Sequence, residues 1–339
     1  MRKFFAKAST FLLGIVLLFN ISGTLADRIA PLEDWRIEHQ QRVESLQARR
    51  DVIEAVTLGN SHSDSLDYSV LGIEGQSMAF AAADLFEIEK YAMYLAAELP
   101  KLKAVFIAVS YYSFSWDNAA FEPYRTRRIR YYSMAPVWSP IRGDVSNYVL
   151  GKLESFTHIM SEVRSDHWLG VWANLERNVS LENTSPYDGV LTTSAWGICP
   201  HYTAEQLEPH ALRTATRNVS DSLQMAIVHS RLESEAYSAL ARTIEALQAK
   251  EIRVILFTPT YYEKYNKYFI EDGSSIIEDM KGMLDRLQQT YQVEYYDFSR
   301  DREVVIHPEL FYNSDHLGEC GKKVFSAKLL KAMSDNTQK

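Results

Sequence analysis

Residues 103–109 read KAVFIAV, apolar at every position after Lys103. A strand half exposed to water would alternate, so this run is expected to be buried on both faces of a parallel sheet. Before it, Leu85, Ile88, Ala92, Leu95 and Leu99 recur at helical spacing, and Pro100 closes that helix. Earlier still, Glu54 to Leu58 (EAVTL) and Ser69 to Ile73 (SVLGI) are short apolar runs ended by Gly59-Asn60 and by Gly75, and both predict strands. On the C-terminal side, Ala236, Leu240, Ile244 and Leu247 mark a long helix. Arg253 to Phe257 (RVILF) predicts a strand, residues 276–290 a helix, Gln292 to Phe298 (QVEYYDF) a last strand and residues 321–333 a final helix. Strands alternating with helices imply a doubly wound, mostly parallel sheet.

The expected class is therefore α/β, a flavodoxin-like three-layer sandwich over residues 51–339, with a large insertion at 111–221 after the third strand. In the insertion the periodicity is lost among aromatics, Arg and Pro, and a loop of that size usually carries function. Residues 27–50 are polar and read as a stalk helix. Residues 1–26 carry Arg2, Lys3 and Lys7, then an uncharged stretch centred on FLLGIVLLF. That centre is short against the ~20 residues of a membrane span. It fits an export segment, either a signal peptide cut near Thr24-Leu25-Ala26 or a retained signal anchor. In an oxidising compartment Cys199 and Cys320 could pair, or they are two unrelated buried thiols. With 36 basic and 44 acidic residues among 339, the formal charge of −8 argues against nucleic-acid binding.

In open α/β sheets ligands bind at the carboxyl ends of the strands. The first strand ends in Gly59-Asn60-Ser61-His62. A Ser in such a turn can expose its hydroxyl while its amide faces the same cavity, as a nucleophile with an oxyanion hole requires, although Gly-x-Ser is also a common turn and helix cap. Of nine His, His316 in Asn313-Ser314-Asp315-His316-Leu317 precedes the last helix, at the same sheet edge as Ser61. His307 shares that loop without an arranged acid. His62 is expected to point away from the Ser beside it, and His210 to be solvated or in the core.

This order of motifs resembles the SGNH/GDSL hydrolase superfamily, and especially its exported branch of alginate acetylation and DltD-like envelope proteins. Gly59-Asn60-Ser61-His62, Val109-Ser110, and Asp315-His316-Leu317 with Gly321 carry the resemblance, over Glu54 to Met333 apart from the insertion. It implies Ser61 as nucleophile, His316 as base, and a second oxyanion amide from Gly75. The chain departs from the pattern in three places. Asn60 replaces the usual Asp, Tyr112 stands where an Asn donor is expected and is only a candidate replacement, and Asn313 occupies the acid's position three residues before the His. Asp315 bending to the ring, Asn313 orienting it through its carbonyl, and a Ser-His dyad all remain open.

Arg125, Arg128, Trp116 and Tyr261 are candidate substrate contacts, since aromatic faces suit sugars and Arg suits carboxylates or phosphates. A packed flap with solvated charges would look the same. No phosphate loop, dinucleotide fingerprint or zinc-ligand spacing appears, so no cofactor and no metal are expected. The expected function is an exported Ser-His esterase or O-acyltransferase acting on acetyl or other acyl esters of a polysaccharide. Its expected partners are an acylated glycan and, for transfer, a membrane acyltransferase. The alternative is a catalytically impaired member that binds glycan or an envelope-assembly partner.

Overall fold

The computed structural model describes Gly14 and residues 34–80, 82–118, 190–194, 197–228 and 231–337. In chain order the strands are β1 (Ala55–Gly59), β2 (Gly75–Ala79), β3 (Ala104–Ala108), β4 (Val190–Ser194), β5 (Gly197–His201), β6 (Arg253–Thr258), β7 (Glu294–Asp297), β8 (Phe311–Asn313) and β9 (His316–Leu317). The main helices are α1 (Asp34–Arg49), α2 (Leu85–Glu98), α3 (Ala204–Val228), α4 (Leu232–Gln248), α5 (Glu263–Tyr291) and α6 (Glu319–Thr337).

Five strands form one all-parallel sheet in the order β2-β1-β3-β6-β7. Every residue of β1 and β3 is buried, which is why KAVFIAV carries no polar alternation. Helices flank this sheet, so the molecule is an α/β, flavodoxin-like three-layer sandwich. Two antiparallel hairpins, β4–β5 and β8–β9, stand outside it.

The second strand lies six residues beyond the predicted one. Ser69 to Ile73 is not a strand: the Asp67 side chain accepts from the Ser69 and Val70 amides and caps a single helical turn, Tyr68–Leu71, which Gly72 ends at φ 67°. The true β2, GQSMA, hides its signal because its polar members have dedicated partners. Gln76 donates to the Arg42 carbonyl at 2.6 Å, and Arg42 donates to Ser77 Oγ at 2.8 Å. Those partners lie in α1. The expected stalk therefore ends as part of the domain, with Val43 and Leu46 buried against it.

The expected boundary of the insertion at residue 221 falls inside α3, a continuous helix that packs on α5. The chain divides into two units, residues 1–40 with 121–187 and residues 41–120 with 188–339. Residues 119–189, most of the insertion, lie outside the described residues, as do residues 1–26 of the export segment except Gly14. Among the described residues no helix is long and apolar enough to cross a membrane. Cys320 is disulfide-bonded, in a chain with two cysteines.

Candidate active site

Strand order reverses between β1 and β3, so their carboxyl ends open the crevice where doubly wound folds place ligands. β1 leaves the sheet through Gly59, at φ 145°. A Cβ there would lie 2.7 Å from the Ser63 Cβ and 3.2 Å from the Ala108 carbonyl oxygen. Only glycine lets the chain fold back so close to β3. Asn60 then caps a 3-10 turn, Ser61–Ser63, by accepting from the His62 amide at 3.1 Å.

Three side chains beneath this turn form a chain of hydrogen bonds. His62 Nδ1 is 2.8 Å from Ser110 Oγ, at the end of β3, and His62 Nε2 is 3.0 Å from Asp315 Oδ2. All three residues are buried, Ser110 completely. Burial pushes the His62 pKa below its usual 6.5, against the pull of Asp315, so the ring is neutral. Burial alone would raise Asp315, but the two adjacent imidazoles outweigh it and hold the carboxyl well below 3.8. A neutral ring beside a carboxylate must carry its proton on Nε2. Ser110 then donates to Nδ1 and accepts from Asn60 Nδ2 at 3.0 Å.

The second oxygen of Asp315, Oδ1, lies 3.3 Å from Nδ1 of His316 without hydrogen-bond geometry. That nitrogen's hydrogen bond goes to Asn313 Oδ1 at 2.8 Å. Asn313 thus meets the His316 ring directly, and Asp315 lies beside the ring without a hydrogen bond to it. Burial disfavours the charged His316 ring, but Asp315, with a contribution from Asp64, outweighs it and raises the pKa above 6.5. Nε2 of His316 has no hydrogen-bond partner among the described residues, and the side chain is 26% exposed.

Ser61 is half-buried in the turn that packs against β9, one residue from His62, whose ring lies edge-on to His316 with centroids 4.8 Å apart. Among the described residues no hydrogen bond joins Ser61 to His316. Ser110 has a more complete Ser–His–Asp array, yet its hydroxyl is sealed from any substrate.

Gly75 does not serve the site. It is the first residue of β2, in register with Ala55 at the opposite end of the sheet, and the Tyr68 ring occupies the space a Cβ would need. The carboxyl end of β2 instead turns at Ala82, φ 59°, where Asn118 Nδ2 donates to the Ala82 carbonyl at 2.7 Å. Tyr112 is buried with its hydroxyl 3.4 Å from Asn60 Nδ2, so it joins the support beneath the turn. Trp116 and Tyr261, candidate substrate contacts, are buried in the aromatic core at 4% and 0% exposure and cannot meet a sugar. Arg125 and Arg128 lie outside the described residues. His307 pairs with Glu309 on the surface, 2.9 Å away.

Sequence reasoning missed three participants. His62, expected only to point away from Ser61, faces inward onto Ser110 and Asp315. Ser110 marked a motif but had no assigned role. His210, on α3, meets Ser314 Oγ at 2.8 Å. Each polar side chain of Asn313-Ser314-Asp315 thus engages a different imidazole, a pattern invisible without the fold. His62, Asp315 and His316 also offer ligand-type atoms within 4.8 Å of one another. His62 Nε2 is bonded to Asp315 and His316 Nδ1 to Asn313.

No protein-family model matches the chain, and no curated protein matches it.

Proposed function

We propose that the chain is an exported SGNH-type serine esterase or O-acyltransferase acting on acyl esters, acetyl above all, of a cell-envelope or secreted polysaccharide. The observation that carries this reading is His316. Its Nδ1 is engaged by Asn313 beside the Asp315 carboxylate, while its Nε2 is unbonded among the described residues, next to the turn that bears Ser61.

In the reaction, Ser61 Oγ attacks the ester carbonyl as His316 Nε2 takes the hydroxyl proton, and Asp315 stabilises the resulting imidazolium. The Ser61 amide, at the start of its 3-10 turn, donates to the oxyanion. Collapse of the tetrahedral intermediate expels the alcohol, which leaves with the proton from His316 and an acyl group on Ser61. Water or a sugar hydroxyl then attacks the acyl-enzyme, His316 again passing the proton, and Ser61 is regenerated. A transferase would draw its acyl group from a membrane acyltransferase. Export is supported by the charged and apolar pattern of residues 1–26 and by the disulfide at Cys320, a bond typical of oxidising compartments.

A second reading, a non-catalytic glycan-binding protein, is favoured by one observation: Asn313 stands where an acid is expected. Turnover of p-nitrophenyl acetate and of an acetylated polysaccharide by the full-length chain, beside Ser61→Ala and His316→Ala, separates the two. The enzyme reading expects release of acetate that both variants lose. Equal rates in all three proteins refute it.

A further inference from the structure

We infer that His62 is a positioning residue for the proposed reaction: by donating Nε2–H to Oδ2 of Asp315, it holds that carboxylate with Oδ1 toward His316. The inference rests on the esterase reading for its catalytic meaning. Its geometric content stands independently.

Asp315 ends the turn between β8 and β9, and His316 opens β9. For Asp315 to serve as the counter-charge of His316, its carboxylate must be held facing that ring. Two contacts hold it. The Asp315 amide donates to Asn313 Oδ1 at 3.2 Å, which tightens the turn, and His62 Nε2 donates to Oδ2 at 3.0 Å, which sets the carboxylate's rotation. A buried carboxylate is costly unless it is bonded. Among the described residues His62 is the only donor with good geometry on this one, and Oδ1, 3.3 Å from His316, has no hydrogen bond.

The orientation of His62 is determined in turn. Ser110 Oγ binds its Nδ1, Asn60 Nδ2 binds Ser110, and Asn60 Oδ1 takes the His62 amide. The Tyr112 and Tyr261 rings enclose the imidazole edge-on at 5.8 and 5.2 Å. A side chain needed only to fill this space would not require both ring nitrogens to be wired. The result is a relay, Asn60–Ser110–His62–Asp315, that ends on the carboxylate beside the base. An Asn at 313 is sufficient because the negative charge arrives from below, through Asp315.

The groups facing His316 are Asn313 and Asp315 from the hairpin, His62 and Asp64 from the β1 side, Lys322 from α6 and His210 from α3. Only the His62 contact is altered in the test. His62→Asn keeps an amide near Ser110 but cannot reach Asp315, whereas His62→Gln places a donor close to the former Nε2. In the full-length chain labelled with 15N-histidine, wild-type His62 should show a protonated Nε2 and an unprotonated Nδ1 throughout neutral pH. His62→Asn should lower the His316 titration midpoint, shift the acid limb of kcat to lower pH, and cut kcat roughly tenfold or more with KM within about twofold. His62→Gln should recover most of both.

A proton on Nδ1 of wild-type His62 overturns the inference, and that measurement needs no variant to fold. So does a His62→Asn protein with wild-type His316 titration, or a His62→Gln protein as impaired as His62→Asn when both melt like wild type. Failure of the esterase reading looks different: turnover that does not depend on Ser61, with the His316 titration still moved by His62→Asn.

Discussion

Asn313 and His316 are joined side chain to side chain, Oδ1 to Nδ1 at 2.8 Å, across the turn that links β8 to β9. A carbonyl in that position can only accept, so it keeps the ring proton on Nδ1 and leaves Nε2 as a base. Asn313→Ala should therefore lower kcat by roughly 10- to 100-fold with little change in KM. Asn313→Asp should retain activity, because an aspartate accepts from the same nitrogen. Steady-state kinetics on p-nitrophenyl acetate checks both, and an Asn313→Ala protein at wild-type rate would remove Asn313 from the orienting role.

The pH dependence has a definite sign. His316 acts as a base only when neutral, and its pKa in the folded chain is raised above 6.5 by Asp315 against the cost of burial. Activity should fall as pH drops through that raised value, and the midpoint of the acid limb should lie above 6.5. Asp315→Asn should bring the midpoint down along with the rate. For stability the same raised pKa acts in the opposite sense: the contribution of His316 is complete below 6.5 and disappears as pH rises through the folded value. His62 is depressed, so its contribution is present above 6.5 and is lost as pH falls below it. Urea midpoints of wild type and His62→Gln from pH 5 to pH 8 should converge toward the acid end.

Asp64 ties three elements together. Its oxygens meet Arg42 of α1 at 3.4 Å and Lys322 of α6 at 3.1 Å. Burial alone would raise its pKa, but these cations outweigh it and hold the carboxyl at about 2 against an ordinary 3.8. Because its side chain is 34% exposed, screening reduces the benefit, and Asp64→Asn should cost roughly 1–2 kcal/mol at neutral pH. A depressed carboxylate stabilises above its unfolded pKa, so this difference should shrink as pH falls from about 4 toward about 2. Denaturant titrations of both proteins at several pH values test it, and a pH-independent difference would contradict the assignment.

Gly59→Ala should be the most damaging single methyl in the β1 turn. The new Cβ would meet Ser63 at 2.7 Å and the Ala108 carbonyl at 3.2 Å, on a backbone with φ 145°. Overpacking and strain together suggest a loss of roughly 2–4 kcal/mol. Since the turn carries Ser61 and His62, activity should fall further than stability alone explains. Chemical denaturation and residual esterase rate, measured on the same preparation, check the two effects separately.

Legibility followed local chemistry. β1, β3 and β6 were readable because strands buried on both faces are mostly apolar runs, and α2 because its apolar stripe repeats at helical spacing up to Pro100. β2 was not, because Gln76 and Ser77 are polar residues whose partners, Arg42 and Ser45, lie some thirty residues away in α1. Gly75 was misplaced for the same reason: once the strand is shifted, its first residue looks like the residue that follows it. Trp116 and Tyr261 looked like sugar platforms, since an aromatic residue has the same composition whether it faces a ligand or the core. Burial, which separates the two cases, is a property of the assembled layers.

The sequence by itself determined that alternating strands and helices form a doubly wound sheet, with Ser61 at the end of the first strand and His316 just before the last helix. Periodicity and turn residues act over a few positions, and they suffice for that. Tertiary structure alone decided how the base is held. Asp315 meets His62 across 253 residues of chain, and Ser110 meets His62 across 48, because β1 and β3 are neighbours where the strand order reverses. Hydrogen bonds a few ångströms long between residues so far apart in the chain leave no periodic trace, so the relay beneath Ser61 exists only once the sheet has brought its ends together.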